Sequence, residues 1–149
     1  MVYAEQLVER EMTEEIGFEV QVNSSHSEAI ARVTEALKTE GFGVLTRVDI
    51  DQAFRDKIGA EFRPYTILGA CNPQLAHTAL TSRPEIGLML PCNVTVEATD
   101  DGSIIRITNP AVMMQMGDLG SDEAISNVAS DATKRLKRVA DALSTNGES

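Results

Sequence analysis

Apolar residues recur at helical spacing in two segments of the chain. In the first, residues 25–28 read Ser-His-Ser-Glu, the pattern of a capping box, in which a serine hydroxyl and a glutamate carboxylate bind free amides of the first turn. The apolar residues that follow at steps of three and four are Ile30, Val33 and Leu37. Gly41 is a typical left-handed helix end. This pattern predicts a helix over residues 26–40.

The second amphipathic segment lies near the carboxyl terminus. Ser121 is a suitable cap, and the acids Asp122 and Glu123 complement the positive end of a helix dipole. The apolar positions that follow are Ile125, Val128, Ala132, Leu136, Val139 and Leu143. We predict a helix over residues 122–144 that covers a sheet or joins a partner helix, and a frayed tail over residues 145–149.

Between these helices the pattern changes to short apolar runs and alternation, which are typical of strands. The predicted strands are residues 17–23, 42–48, 62–71, 92–99 and 103–108. Asp100-Asp101-Gly102-Ser103 is a hairpin signal that joins the last two. Residues 85–99 are predicted to be extended with a break at Pro91, and residues 1–16 fit neither pattern clearly.

Two short helices complete the prediction. Asp49 offers a cap for a helix over residues 50–58 that Gly59 ends, and Asn72-Pro73 begins a helix over residues 73–81. The order of these elements predicts an α+β fold, with a largely antiparallel sheet of about five strands and helices packed on one face. No linker or repeat divides residues 1–149, so we expect one domain.

Composition and charge restrict the partners. The chain has 149 residues and 42% hydrophobic residues, which suits one globular domain. Its formal net charge of −10 repels phosphate backbones and anionic lipid surfaces, so nucleic acid and membranes are not expected partners. No window approaches the roughly 20 apolar residues of a membrane span, and we predict a cytoplasmic protein. In a reducing compartment its two cysteines are expected to be free thiols, metal ligands or redox-active groups rather than a structural disulfide.

The two cysteines are the main candidates for chemistry. Cys71 ends an apolar run before Asn72-Pro73, and Cys92 begins the next run before Asn93. If these junctions converge at one sheet edge, Cys71 would be activated by the amides of the following helix and Cys92 would be its resolving partner. The alternative interpretation is that both are small buried hydrophobic residues.

His77 lies six positions after Cys71 and is a third candidate. With Cys71 and Cys92 it would give a soft metal ion at most three ligands, without a Cys-x-x-Cys pair, so a structural zinc site is weakly supported. A partly exposed histidine without a special role is the simpler interpretation. The predicted site is a pocket lined by Cys71, Asn72, His77, Cys92 and Asn93.

Several motifs resemble one known family. They are the segments 62–73 (Phe-Arg-Pro-Tyr-Thr-Ile-Leu-Gly-Ala-Cys-Asn-Pro), 75–77 (Leu-Ala-His) and 86–94 (Ile-Gly-Leu-Met-Leu-Pro-Cys-Asn-Val). Together with residues 41–46 and Asn109-Pro110, they make residues 17–116 similar to the bacterial and archaeal domain of unknown function 302. The resemblance implies a compact α+β domain, often a homodimer, with no established activity, and the two cysteines match only some members.

Three functions follow as hypotheses. The first is a binding module that holds a soft metal ion or a small ligand between Cys71 and Cys92. The second is an enzyme that uses the Cys71 thiolate for redox or sulfur transfer, with Cys92 resolving the intermediate. The third is an interaction protein in which both cysteines are inert parts of the core.

Overall fold

A computed structural model describes residues 15–146, and within that range the chain forms one antiparallel sheet of five strands. The strands are β1 (Gly17–Val22), β2 (Gly43–Asp49), β3 (Tyr65–Cys71), β4 (Cys92–Thr99) and β5 (Gly102–Thr108). Their order in the sheet is β1-β5-β4-β3-β2, and every neighbouring pair is antiparallel. The predicted α+β fold and its five strands are confirmed.

Helices connect the strands and close the chain. They are α1 (His26–Thr39), α2 (Ile50–Ile58), α3 (Pro73–Ser82), α4 (Pro110–Met113) and α5 (Glu123–Asn146), with 3₁₀ helices at Pro84–Met89 and Leu119–Ser121. The predicted frayed tail over residues 145–149 overlaps α5, because this helix ends at Asn146 rather than at residue 144. Residues 1–14 and 147–149 lie outside the described range.

The main core lies between one face of the sheet and the helices α1 and α5. Its fully buried side chains include Val33, Leu37, Leu68, Val94, Val96, Ile105, Ile107 and Leu136. Burial of each such aliphatic side chain stabilises the fold by about 1.5–3 kcal/mol. Side chains alternate between the two faces of the sheet, so the even positions 92, 94 and 96 of β4 and the odd positions 103, 105 and 107 of β5 lie on the covered face.

A second, smaller core lies beside the sheet. It joins α3, the first 3₁₀ helix and the amino-terminal part of α5 through the buried residues Ala79, Ile86, Met114, Leu119, Ile125, Val128 and Ala129. The single apolar face of α5 thus serves both cores. The prediction that residues 85–89 are extended is wrong, because they belong to a 3₁₀ helix that begins at Pro84 and buries Ile86.

Two predicted caps also differ. Asp122, rather than Ser121, caps α5, because its Oδ1 accepts the amide of Ile125 at 3.1 Å while the Ser121 hydroxyl donates to a backbone carbonyl. The Asp49 side chain makes no cap hydrogen bond with α2. The Ser25–Glu28 capping box of α1 and the left-handed Gly41, with φ of 83°, are as predicted.

Candidate functional site

The two cysteines lie on adjacent strands where β3 ends and β4 begins. Ala70 of β3 pairs with Cys92 of β4, and Cys71 pairs with Gly43 of β2. Successive side chains along a strand point to opposite faces of the sheet. The register therefore opposes direct contact between the two sulfur atoms, and both thiols are free.

A small cavity nevertheless includes both cysteine positions. Its volume is about 20 Å³, and its walls include Phe42, Cys71, Asn72, Leu75 and Cys92. That volume is close to the minimum for one water molecule, which needs roughly 10–15 Å³. The cavity is thus a gap in packing between the two cores, and a larger ligand would require its walls to move.

Asn72 has a structural role at this cavity. Its Oδ1 accepts the amide of Leu75 at 3.2 Å and caps α3, while its Nδ2 donates to the Glu40 carbonyl at 3.5 Å. The same carbonyl accepts from Arg135 of α5 at 3.1 Å. The oxygen and the nitrogen of the Asn72 side-chain amide are therefore both engaged. They link α3 to the end of α1, and the shared Glu40 carbonyl links both to α5.

Cys92 is held as a neutral thiol. Burial raises its pKa to about 11, and the nearby Cys71 contributes to the same direction. Since the thiolate is the form that attacks disulfides and binds metals, the environment of Cys92 opposes both chemistries at neutral pH. Between residues 15 and 146, no group of three His, Cys, Asp or Glu side chains is placed to hold a metal ion.

The structure separates the other two predicted site residues from the cavity. His77 is exposed on α3 and does not line it. Asn93 follows Cys92 along β4, so its side chain lies on the open face of the sheet, where it is exposed. Of the five predicted residues, Cys71, Asn72 and Cys92 thus share one small cavity.

Asn93 instead belongs to a groove on the open face. This open-face groove has a volume of about 470 Å³, and its lining includes Gly17, Glu19, Tyr65, Asn93, Thr95 and Arg106. The register brings these residues together, since Thr95 pairs with Arg106 and Arg106 pairs with Glu19. Ile16 and Met113 contribute apolar wall. The volume lies within the 300–1,000 Å³ that is typical of small-molecule sites.

Charged side chains beside the groove are paired with one another. Arg106 donates to Glu97 Oε1 at 2.6 Å and to Glu19 Oε1 at 3.0 Å, and Arg63 donates to the other oxygen of Glu97. The hydrogen bond from Arg106, followed by that from Arg63, lowers the pKa of the Glu97 carboxyl. Opposite charges therefore neutralise one another along this wall.

Thr95 carries an unusual hydroxyl at the floor of the groove. The residue is half-buried, yet its Oγ1 is inaccessible and has no hydrogen-bond partner among the described residues. A buried polar atom without a partner costs about 1–3 kcal/mol. Native structures contain few such atoms, and each one calls for an explanation.

The sequence contains a signal for this groove in the alternation of residues along β4. Polar residues alternate with apolar ones along β4, at Asn93, Thr95 and Glu97, and Arg106 continues the pattern on β5. Such alternation indicates an open, solvated sheet face. Which of these side chains meet depends on strand order, and the pattern alone does not specify that order.

A second polar cluster lies under the amino-terminal end of α1. His26 Nε2 lies 3.2 Å from the Val96 carbonyl and 3.1 Å from Thr66 Oγ1. Thr66, which is fully buried, donates to Asp49 Oδ1 at 2.8 Å. This donor explains why Asp49 does not cap α2. The capping turn thus explains why His26 stands at the start of α1. It does not explain the contacts of the His26 side chain, which link α1 to β3.

None of the helices in the described range combines the length and apolarity that crossing a lipid bilayer requires.

Comparisons with known proteins place the chain in a family and give it no activity. Residues 18–143 match the family model described as domain of unknown function DUF302. A solved structure of an uncharacterized conserved protein DUF302 from Bacillus stearothermophilus is similar, with a TM-score of 0.76 and 33% sequence identity over 85% of this chain and 97% of that chain. No curated protein matches the chain.

Proposed function

The chain belongs to the DUF302 family, and from the geometry of its sheet we propose that it is a small-molecule binding module whose ligand occupies the open-face groove. The observation that carries this proposal is the buried Thr95 hydroxyl, which has no partner among the described residues and belongs to a residue that lines a groove of about 470 Å³. A ligand that accepts from or donates to this hydroxyl would recover free energy that the free protein lacks.

A binding role is favoured over a thiol enzyme because of where the reactive groups lie. The groove contains no cysteine, and the Cys92 thiol, with a pKa of about 11, is neutral at physiological pH. The cavity beside Cys71 and Cys92 has room for about one water molecule. Both cysteines then serve as small packing residues, in a cytoplasmic protein whose reducing surroundings keep them free.

NMR titration with benzyl alcohol, a neutral probe with one ring and one hydroxyl, tests the proposed site. We expect saturable shifts of the backbone amides of Asn93, Thr95 and Arg106. Asn93→Trp should fill the groove and abolish these shifts. Gln21→Trp is the matched control, because Gln21 is an exposed residue of the same sheet face that does not line the groove. Shifts that are absent, or that both variants abolish equally, contradict the proposal.

Thiol labelling and elemental analysis test the competing hypotheses of metal binding and redox chemistry. Protein purified without chelator should contain no stoichiometric metal, and Cys92 should label slowly at pH 7, with a rate that rises toward its pKa of about 11. Stoichiometric soft metal that Cys71→Ser removes would instead establish the cysteine site. Fast, selective labelling of Cys71 would favour thiolate catalysis.

We also propose a homodimer, as the family resemblance implies. The edge strand β2 supports it, because Leu45 and Val48 expose 68% and 46% of their surface beside backbone groups that no further described strand pairs. Sedimentation at micromolar concentration should give twice the chain mass of 16.1 kDa. Leu45→Lys should produce monomers, whereas Ile58→Lys, at an exposed apolar position on α2, should not. A wild-type monomer contradicts this proposal.

A further inference from the structure

We infer that the ligand of the open-face groove is an uncharged planar molecule with a carboxamide or lactam head, and that Thr95 and Asn93 select it. This inference rests on the proposed function, since it specifies the ligand class of the same groove. It follows from three properties of the groove wall: its charges, its hydrogen-bonding groups and its aromatic side.

The charges disfavour an anionic ligand. The guanidinium of Arg106 already donates to the carboxylates of Glu19 and Glu97, so an anion would have to displace one of them. Glu15 and Glu19 also line the groove, in a chain of net charge −10. A cation would find the carboxylates of Glu19 and Glu97 engaged by Arg106, so it would have to displace this guanidinium to pair with either of them. A neutral ligand leaves all these pairs intact.

The hydrogen-bonding groups favour a head that both donates and accepts. Asn93 and Thr95 are two residues apart on β4, so their side chains lie on the same face at a distance of about 7 Å. The exposed Asn93 amide makes no side-chain hydrogen bond within the described range, and it offers both a donor and an acceptor. A rotation of Thr95 about χ1 would exchange its methyl group and hydroxyl and turn the buried oxygen toward the groove.

An aromatic side chain bounds the groove on β3. The Tyr65 ring lies 6.2 Å from that of Phe62, and Phe54 of α2 packs against Phe62 with centroids 5.3 Å apart. Asp51 accepts the Tyr65 amide at 3.0 Å, which fixes the backbone beneath the ring. A ring held in this way is a suitable surface for stacking a flat molecule.

Three probes with the same ring and different head charges test the inference. NMR titrations at pH 7 with benzamide, benzoate and benzylammonium report on the amides of Asn93, Thr95 and Arg106. We expect benzamide to bind at least about tenfold more tightly than either ion, in line with the discrimination that buried hydrogen-bonding groups provide. Thr95→Val should weaken benzamide by about tenfold. Thr99→Val, on the same strand and face but outside the groove, should leave it unchanged.

The outcomes separate this inference from the proposed function. If benzoate or benzylammonium binds in the groove as tightly as benzamide, the ligand class is wrong while the groove remains a binding site. If Thr95→Val leaves benzamide affinity unchanged, Thr95 does not select the ligand. If neither benzamide nor benzyl alcohol gives saturable shifts, the proposed function fails and the inference fails with it.

Discussion

The two faces of the sheet consist of the same five strands, yet different interactions stabilise them. The covered face is aliphatic, and side chains such as Ile105 and Val94 are inaccessible beneath α1 and α5. The open face carries the ion pairs around Glu97 and the groove that contains Thr95. The covered face thus supplies the apolar burial that stabilises the fold, and the open face adds ion pairs. The open face also contains the Thr95 hydroxyl, which has no partner among the described residues, and this is where a binding function can be sought.

The largest contrast between the faces is expected from neighbouring isoleucines of β5. Ile105 is fully buried on the covered face, whereas Ile104 is half-buried on the open face. Ile105→Ala should lower the free energy of unfolding by about 4 kcal/mol, since it removes buried methyl groups and leaves a cavity. Ile104→Ala should cost about 1 kcal/mol. Urea denaturation of both variants provides the measurement, and equal losses would mean that the open face is as closely packed as the covered one.

This contrast also shows how far the sequence predicts the molecule. The two long helices and the five strands follow from local periodicity and caps, which depend on neighbours in the chain, whereas the 3₁₀ helix over Pro84–Met89 does not. The two Cys-Asn dipeptides mark the limit. Asn72 caps a helix, whereas Asn93 continues a strand and lies exposed on the open face. An identical dipeptide thus has two roles that only the following residues and the strand register determine.

Which residues form the open-face groove depends, for a related reason, on more than the local pattern. Thr95, Arg106 and Glu19 come from β4, β5 and β1, and they become neighbours only through the order β1-β5-β4. The position of a central strand depends on the two strands that flank it in the sheet. The alternation in the sequence is compatible with several strand orders, so it does not specify which strands are neighbours. The missing partner of the Thr95 hydroxyl is likewise a property of three-dimensional packing rather than of composition.

The next largest loss in the free energy of unfolding is expected when the charge of Glu97 is removed. Glu97 is buried and accepts from both Arg63 and Arg106. Glu97→Gln places an amide donor against one guanidinium, so it should cost about 2 kcal/mol, as expected for hydrogen bonds to charged groups. Chemical denaturation at pH 7 measures this loss, with Glu61→Gln at an exposed position as the control.

The effect of Glu97 should also depend on pH. Its folded-state pKa is lowered from the ordinary value of 4.5. A lowered pKa stabilises the fold above the unfolded-state value, and the contribution disappears as the pH falls through the folded-state value. The stability difference between wild type and Glu97→Gln should therefore be constant above about pH 5.5 and shrink below 4.5. A difference that persists unchanged at pH 2 would show that the ion pairs are not its cause.

Replacement of Gly69 on the open face should cause a smaller loss of stability. A Cβ atom at Gly69 would lie 2.2 Å from Thr46 Oγ1 and 2.7 Å from Pro91 Cγ, so these side chains pack directly over the β3 backbone. Gly69→Ala should cost about 1.5 kcal/mol, as overpacking does. Gly43→Ala on β2 is the control, because a Cβ there would have no atom within 4 Å among the described residues other than its chain neighbours. Thermal denaturation of both variants decides between local crowding and a general effect of replacing strand glycines.

The smallest expected effect is a gain in stability, and it would sharpen the distinction between the faces most. The Thr95 hydroxyl is buried without a partner among the described residues, so it lowers stability as long as no ligand binds. Thr95→Val keeps the shape of the side chain and suits a strand, and it should raise the free energy of unfolding by about 1 kcal/mol. Thr66→Val should have the opposite effect, because the buried Thr66 hydroxyl donates to Asp49 and lies against His26. If both variants lose stability in urea, the Thr95 hydroxyl has a structural partner and the case for a ligand at this position is lost. If only Thr95→Val gains stability, Thr95 is a polar residue that is retained at the expense of stability.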